Sequence, residues 1–411
     1  MRPDSPRRLR ACLIIFLLAL AVRLTLLFGF HRYEFSRPEA VKIAISLAQH
    51  GAFADPYYIP TGPTAHTAPI YPALIAPFYA LLGDSDRADL ARFAFNAVIA
   101  SVGYALLPLL AEALGIGWWT GMLAGLAGSL IPLHHWPECL GLFENTCTGV
   151  FLELATLHLL RFLRAGSLAA AGAARAGLLW GLGILLSPTV VVVLAAFPVI
   201  AWRKLRPSPR AAVGFAVVFT AALLAVLSPW VFRNWKQELG LCVVRDDLGL
   251  ELFVSNHDGA TAVAEQNFAD PYWREVHPHV SLAAATELKS IGERAFERRK
   301  LSQAIDWIRT HPRQFAGLTL QRIVRFWFPA MPRFEWAFWA VTVLAAAGWI
   351  RMFQRVRFAA IVLAAVLLPY SAVFSVIETS VRYQHPIWWC LVLLACFAGG
   401  AGIRPRRIEQ P

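Results

Sequence analysis

Apolar residues fall along this chain in long runs, not in the alternation of strands or the one-sided stripes of soluble helices. Residues 11–30, 93–114, 211–231, 358–377 and 387–400 are nearly without charge. About 20 such residues are what a helix needs to cross the hydrocarbon of a bilayer. Shorter apolar runs at 118–133, 142–163, 176–186, 189–202 and 334–350 add to these. The pair 176–186 and 189–202 is hinged at Ser187-Pro188, where a proline interrupts the pattern. Each is short for a span, so a half-membrane hairpin is the alternative there. The pattern predicts an all-α polytopic membrane bundle of about ten spans with enlarged outer loops.

Basic clusters test that count. Arginine and lysine gather at 2–10, 161–175, 203–210, 351–357 and 404–407. Cytoplasmic loops carry the excess of Lys and Arg, so an even number of crossings must separate any two such clusters. The ten spans satisfy this and put both termini on the cytoplasmic side. The basic residues before the first run resemble the start of a signal peptide. The run is followed, however, by bulky Phe28, Phe30, His31 and Tyr33 and not by a small-residue cleavage site. It reads as a retained span of an inner-membrane protein of the cell envelope.

Three regions follow: a transmembrane core over 1–232 that contains a first outer loop at 31–89, an outer segment over 233–332, and C-terminal spans over 333–411. The apolar stretch 71–82 in the first loop is too short to cross and predicts an interfacial or re-entrant helix. In the outer segment, Leu282, Leu288, Ile291, Ala295, Ile305 and Ile308 recur at helical spacing. His311-Pro312 ends that helix, and a second, 313–328, closes in aromatic residues.

Composition agrees: 57% of the residues are hydrophobic and 16% charged, with a mean hydropathy of +0.53. A soluble domain carries about 25% charged residues. The net charge of +12 would suit nucleic acid, but the cations sit in short clusters beside apolar runs and form no single basic face. Cys12, Cys390 and Cys396 lie in spans, and Cys139, Cys147 and Cys242 in or near outer loops, with no CxxC pair. Unpaired thiols are the reading this favours.

Polar residues against the outer membrane face are those that ask for chemistry. Glu39 follows Pro38 at the start of a predicted helix, where the dipole favours an acid whether or not it reacts. The stretch 57–72 is stiffened by proline, lined with hydroxyls and carries His66. Glu144 opens an otherwise apolar span, a costly place for an acid. His134, His135 and Glu138 suggest a divalent metal, but Pro137 argues against a helix that would align them. Arg233 and Arg382 lie outside, against the charge bias. Each reads either as a side chain snorkelling to headgroups or as a fork for a lipid phosphate, with Lys42 beside it.

The runs Arg37-Pro38-Glu39-Ala40-Val41-Lys42-Ile43-Ala44, Gly51-Ala52-Phe53-Ala54-Asp55-Pro56, Thr61-Gly62-Pro63-Thr64-Ala65-His66 and Pro69-Ile70-Tyr71-Pro72 resemble the first outer loop of the C-type glycosyltransferases. They are most similar to the bacterial protein-mannosyltransferase and aminoarabinose-transferase group (glycosyltransferase family 39-like). The likeness continues through Trp230-Val231-Phe232-Arg233-Asn234, Gly249-Leu250-Glu251-Leu252, His311-Pro312 and Arg382-Tyr383-Gln384-His385-Pro386. The resemblance implies a membrane enzyme that moves a sugar from a polyprenyl-phosphate donor to a lipid, glycan or protein acceptor on the outer side. It implies Glu39 and Glu144 as the catalytic acids, with Glu138 competing for the second place. Lys42, His66, Tyr71, Arg233, Asn234 and Arg382 are the implied substrate-binding residues. No cofactor is fixed, and a divalent metal stays open.

A phosphate leaves readily, so the reaction needs no strong general acid. It needs a base for the acceptor hydroxyl, assigned to Glu39, and cations for the developing phosphate charge. A single displacement inverts the anomeric carbon. A flippase or transporter would show charges deep in the spans and inverted symmetry. A membrane assembly protein would tolerate any residue at Glu39.

Overall fold

A computed structural model describes residues 5–141, 144–166, 168–331 and 333–400. Arg2, Leu142, Pro332 and the basic cluster 404–407, on which parts of the topology reading rest, lie outside the described residues. All regular structure among the described residues is helical, with two isolated β-bridges, Ala54 to Pro63 and Val263 to Thr379.

The membrane part begins with α1 (Ser5–Leu24), which runs through a wider turn at Thr25–Gly29. After the first outer loop, which carries α2 (Glu39–His50) and α3 (Ile70–Leu82), come α4 (Asp86–Leu114), α5 (Trp118–Leu130), the short α6 (His135–Cys139) and α7 (Asn145–Ala165). Then follow α8 (Ala170–Leu186), α9 (Val191–Leu205) and α10 (Pro209–Lys236). The outer segment supplies α11 (Leu248–Ser255), α12 (Ala264–Ala269), α13 (Pro271–Val276), α14 (Leu282–Ile291), α15 (Glu293–Thr310) and α16 (Pro312–Trp327). The chain returns through α17 (Glu335–Arg355), α18 (Arg357–Val373), α19 (Val381–Gln384) and α20 (Trp388–Gly399).

Among the described residues, six stretches are long and apolar enough to cross a membrane: Pro6–Gly29, Asp86–Leu114, Asn145–Ala165, Pro188–Leu205, Pro209–Lys236 and Glu335–Arg355. Ile70–Leu82, Ala170–Leu186 and Arg357–Val373 are shorter apolar helices. This is a helical membrane protein. In lipid, helices gain from close backbone approach more than from apolar burial, so small residues mark their contacts. α17 meets α20 at Gly348, where a Cβ would overlap the Leu394 carbonyl, and α8 meets α10 at Gly177, where it would overlap that of Phe219. α4 packs against α1, α3, α5 and α7 and is the hub of the first half.

The hinge at Ser187-Pro188 and the breaks before α3 and at His311-Pro312 fall where the pattern predicts them. Two details differ. Pro137 lies inside the first turn of α6, where its missing N–H has no helical partner to lose, so a helix forms around it. The predicted helix over 282–308 breaks at Gly292, whose φ of 83° suits only glycine. Past the break α15 buries Glu293, Phe296, Glu297, Lys300 and Ala304, while Ala295 points out. Tyr57 of the first loop joins Leu250, Val254, Ala285, Leu288 and Phe296 in a small separate core. The two outer segments therefore form one cap.

The cap is tied to the bundle by a buried guanidinium. Arg92 on α4 is fully buried, and a charge there must be matched by acceptors or it costs several kcal/mol. It donates to the carbonyls of Leu140 and Gly141 (2.8 Å), to Ser36 O (3.4 Å), to Asp89 (2.9 Å) and to the Tyr79 hydroxyl (3.2 Å). Tyr79 donates in turn to Asp89 at 2.7 Å. Arg92→Gln leaves buried Asp89 with only the half-exposed Arg37 guanidinium, 3.6 Å away, and should cost up to about 3–5 kcal/mol. Thermal unfolding in detergent should show a lowered midpoint, partly restored by adding Asp89→Asn. A midpoint equal to wild type would show that Arg92 is not the tie.

Candidate functional site

Where the cap meets the bundle there is a cavity of about 510 Å³. Segments distant in sequence wall it. Pro38 is extended (ψ 172°) and turns the chain into α2, so Glu39 occupies the first helical position, with its carboxylate toward the cavity. The first loop adds His66. Glu144 comes from the start of α7, and Ser187, Pro188 and Thr189 from the α8–α9 hinge. The outer segment contributes Arg245, Asp247, Glu251, Glu265, His277 and His279, and the chain after α18 adds Glu378, Arg382 and Tyr383. Trp136, Phe268, Trp273, Tyr370 and Phe374 supply flat apolar surface.

Carboxylates outnumber cations on this wall: Glu39, Glu144, Asp247, Glu251, Glu265 and Glu378 face Arg245 and Arg382. Arg245 lies 3.7 Å from Glu144 and is paired with Asp247. Arg382 donates to the Tyr383 hydroxyl at 2.8 Å, and its guanidinium lies over the Phe268 and Tyr383 rings. Burial pushes the Glu144 carboxyl up despite Arg245. Burial, then the charges of Asp247 and Glu378, push Glu251 up to about 8, with Arg245 and Arg382 opposing. Burial raises Glu378 to about 7 against the hydrogen bond from Asn267. Two of the acids are therefore protonated, or close to it, at neutral pH and present O–H donors.

Glu39 is different. Burial raises its pKa, but His279, His277 and His66, with a backbone hydrogen bond, outweigh this and hold it at about 2. The His279 ring nitrogen Nδ1 is 3.5 Å from Glu39 Oε1. Burial holds His277 down to about 3 and also lowers His66, so these two imidazoles are neutral partners at pH 7.

Glu39, Glu144, His66 and Arg382, read from the sequence, all meet at this cavity. Lys42, Tyr71, Arg233 and Asn234 do not line it. One turn beyond Glu39, Lys42 Nζ donates to Tyr57 O (2.8 Å). Tyr71 donates to Gly141 O (2.5 Å) and accepts from Asn96 beside Arg92. Arg233 donates to the carbonyls of Thr64 (2.6 Å) and Phe53 (2.6 Å) and to Asn234 Oδ1, while Asn234 reaches back to Cys242 O (3.1 Å). Carbonyls of the first loop are therefore the partners of Arg233. Glu138 is buried against Arg23 (2.8 Å) and the Tyr104 hydroxyl (2.5 Å), away from the cavity, so of the two competing acids Glu144 is the one on the wall.

His134 packs among the rings of Phe338, His385 and Trp388, and His135 contacts Arg32 O. Together with Glu138 they face three different partners and form no metal site. Among the described residues no group of three or more His, Cys, Asp or Glu is placed to hold a metal ion. All six cysteines are free thiols. Sequence reasoning missed Arg245, Asp247, Glu251, Glu378, His277 and His279. The Arg245-Asp246-Asp247 triplet and the His277-Pro278-His279 pair were the available signals.

No family model matches the chain, and no curated protein does. Solved structures do. The oligosaccharyltransferase of Archaeoglobus fulgidus in its apo form matches over 94% of this chain and 50% of that one, with a TM-score of 0.55 at 13% identity. The oligosaccharyltransferase AglB of the same organism, in complex with an inhibitory peptide and a dolichol-phosphate, matches over the same shares at 0.53 and 14%. AglB belongs to the C-type glycosyltransferase superfamily. The chain shares that fold and spans about half the length of the matched chains.

The raised acids give the cavity a pH signature. An acid whose pKa is raised on folding favours the folded state below its unfolded value, and that advantage is lost as pH rises through the folded value. For Glu251 the window runs from about 4.5 to about 8. Glu251→Gln should therefore raise the thermal midpoint at pH 8.5 and change it little at pH 4.5. An equal shift at both values would show that Glu251 is not held protonated.

Proposed function

We propose that this protein is a membrane glycosyltransferase that moves a sugar from a polyprenyl-phosphate donor to an acceptor hydroxyl on the outer side of the membrane. The observation that carries the reading is the cavity itself. One buried ionised carboxylate among histidines, Glu39, shares it with two arginines and a set of protonated acids and aromatic faces. The fold supports it, since a neighbour at the level of fold holds a dolichol-phosphate. The acceptor is a lipid, a glycan or a protein. In this reading the ten crossings are the six long apolar stretches together with α5, α8, α18 and α20, and both termini lie in the cytoplasm of an inner membrane.

Each group has a task the chemistry requires. The acceptor oxygen attacks the anomeric carbon as the phosphate departs, inverting the centre. Arg245 and Arg382 offer planar forks to the phosphate and meet the charge that develops on it. They replace Arg233 and Lys42 in that role because they line the cavity, whereas Arg233 and Lys42 lie off it on first-loop carbonyls. Glu251 and Glu378 donate to sugar hydroxyls, while Trp136 and Trp273 offer their faces to the sugar's C–H side. The Glu39 corner removes the acceptor proton. Glu144 keeps Arg245 aligned.

Purified protein incubated with radiolabelled polyprenyl-phosphate sugars should consume one of them. Glu39→Gln keeps the shape and should cut turnover by about 10²–10⁴ while donor binding survives. Glu34→Gln, five residues earlier, should be silent. Arg382→Lys and Arg245→Lys keep charge but lose the fork, and each should weaken donor binding by about 1–3 kcal/mol. Wild-type turnover in Glu39→Gln would remove the base from this corner. Unchanged donor affinity in both arginine variants would remove the phosphate from theirs.

A further inference from the structure

The ring of His279 is held in a way that determines its tautomer. Its Nδ1 lies 3.5 Å from Glu39 Oε1 and 3.3 Å from the Pro56 carbonyl oxygen. Both neighbours are acceptors only, since Glu39 is ionised, so a bare Nδ1 would set its lone pair against theirs. Nδ1 therefore carries the hydrogen, and in the neutral ring Nε2 carries the lone pair. The backbone around the ring is held as well. The His279 N–H donates to His277 Nδ1 (3.2 Å), and Tyr58 N–H donates to Pro278 O (2.9 Å). His279 lines the cavity and its side chain keeps 19% of its exposure, so the ring reaches both substrate space and solvent.

We propose that Glu39 and His279 act as a dyad in which His279 Nε2 takes the acceptor's proton while the Glu39 carboxylate orients the ring and steadies the imidazolium. This rests on the glycosyl-transfer reading and assigns its base. The acceptor O–H bond breaks and its proton passes to Nε2. The oxygen's electron pair forms the bond to the anomeric carbon, and the bond from that carbon to phosphate oxygen breaks with its pair on the phosphate. The imidazolium then returns its proton to water. Glu39 becomes a positioning residue, as carboxylates are wherever they orient an imidazole base.

The surroundings agree. A carboxylate held at about 2 is a poor final holder of a proton at neutral pH, because efficient bases have pKa values near the working pH. The groups facing the pair are Lys42 from α2, Tyr57 and His66 from the first loop, and His277 from the same outer stretch, with Arg245 and Asp247 acting on His66 from further out. His277 and His66 are kept neutral by burial and Lys42 is turned onto Tyr57 O, so His279 is the imidazole left to accept.

The test compares His279→Gln, Glu39→Gln and Glu39→Asp in kcat, donor KM and the pH profile of kcat/KM, and reads the histidine tautomers by ¹⁵N NMR. Both glutamine variants should lose about 10²–10⁴ in kcat with donor KM close to wild type. The acid limb of the profile should move to lower pH in His279→Gln, and Glu39→Asp should recover part of the rate. Wild-type NMR should show His279 as the Nδ1–H form, and Glu39→Gln should mix the tautomers. An active wild type with His279→Gln unchanged in rate and acid limb overturns the dyad alone. An Nε2–H tautomer in the wild type overturns it whether or not a donor has been found. A wild type inert to every polyprenyl-phosphate sugar overturns the transfer reading, and the proton transfer with it.

Discussion

Arg92 is the constraint on which the site depends. A guanidinium inside an apolar bundle is tolerable only when each face of the fork meets an acceptor, and α4 alone cannot supply those. The chain brings three segments to it: Ser36 just before Glu39, the carbonyls of Leu140 and Gly141 just before Glu144, and Tyr79 from α3. Satisfying one buried charge thus sets where the two acid-bearing loops start. Gly141 makes the approach possible. Its φ is 53°, and a Cβ there would overlap the Asn96 amide. The same logic is repeated deeper, where Arg23 holds Glu138 and the carbonyls of Gly128 and Ser129. That pair spends its charges on structure.

The surplus of carboxylates on the cavity wall follows from what such a wall must do. Six acids could not all ionise together at low dielectric, because like charges raise each other's proton affinity. The wall sorts them instead. Glu39 is held low by the neighbouring histidines and a backbone hydrogen bond, Glu144 is matched by Arg245, and burial pushes Glu251 up to about 8 and Glu378 up to about 7. A set of O–H donors and carboxylate acceptors at fixed places suits a polyhydroxylated ligand. The arginines add the charge a phosphate needs.

Much of this fold was legible because lipid imposes a simple grammar: apolar length, proline breaks and basic flanks. The hinge at Ser187-Pro188, the short α3 and the break at His311-Pro312 needed nothing more. Glu39, Glu144, His66 and Arg382 were legible as polar residues close to apolar runs, and they meet at one cavity. What stayed hidden lies in the outer segment, where charged residues are cheap and one resembles the next. Arg245 and His279 differ from neighbouring Arg274 and His257 only in what the fold sets against them. Arg233 shows the converse. A cation at the end of an apolar run needs acceptors, yet the pattern could not tell a phosphate oxygen from a peptide carbonyl. The helix over 282–308 misled for a related reason, since α15 buries a face that includes Glu297 and Lys300. Glu297 accepts from Leu250 N–H (2.9 Å), and Lys300 lies over the Phe253 and Phe296 rings.

The cavity is closed by contacts between the two outer segments. Here the enclosure comes from the chain's own outer segment: Glu293 grips the Thr64 hydroxyl (2.5 Å) and the Ala65 N–H (2.7 Å), and Ala65 O accepts from Asp246 N–H (2.9 Å). Those bonds draw Arg245 and Asp247 over the first loop and His279 against Glu39. The outer segment thus closes the cavity and lines it at once, because Asp246, which bonds the first loop, sits between Arg245 and Asp247 of the wall. A lid free to move would not hold His279 Nδ1 between two oxygens. The cap does so here, and Tyr370, Val373 and Phe374 at the end of α18 form an apolar part of the same wall.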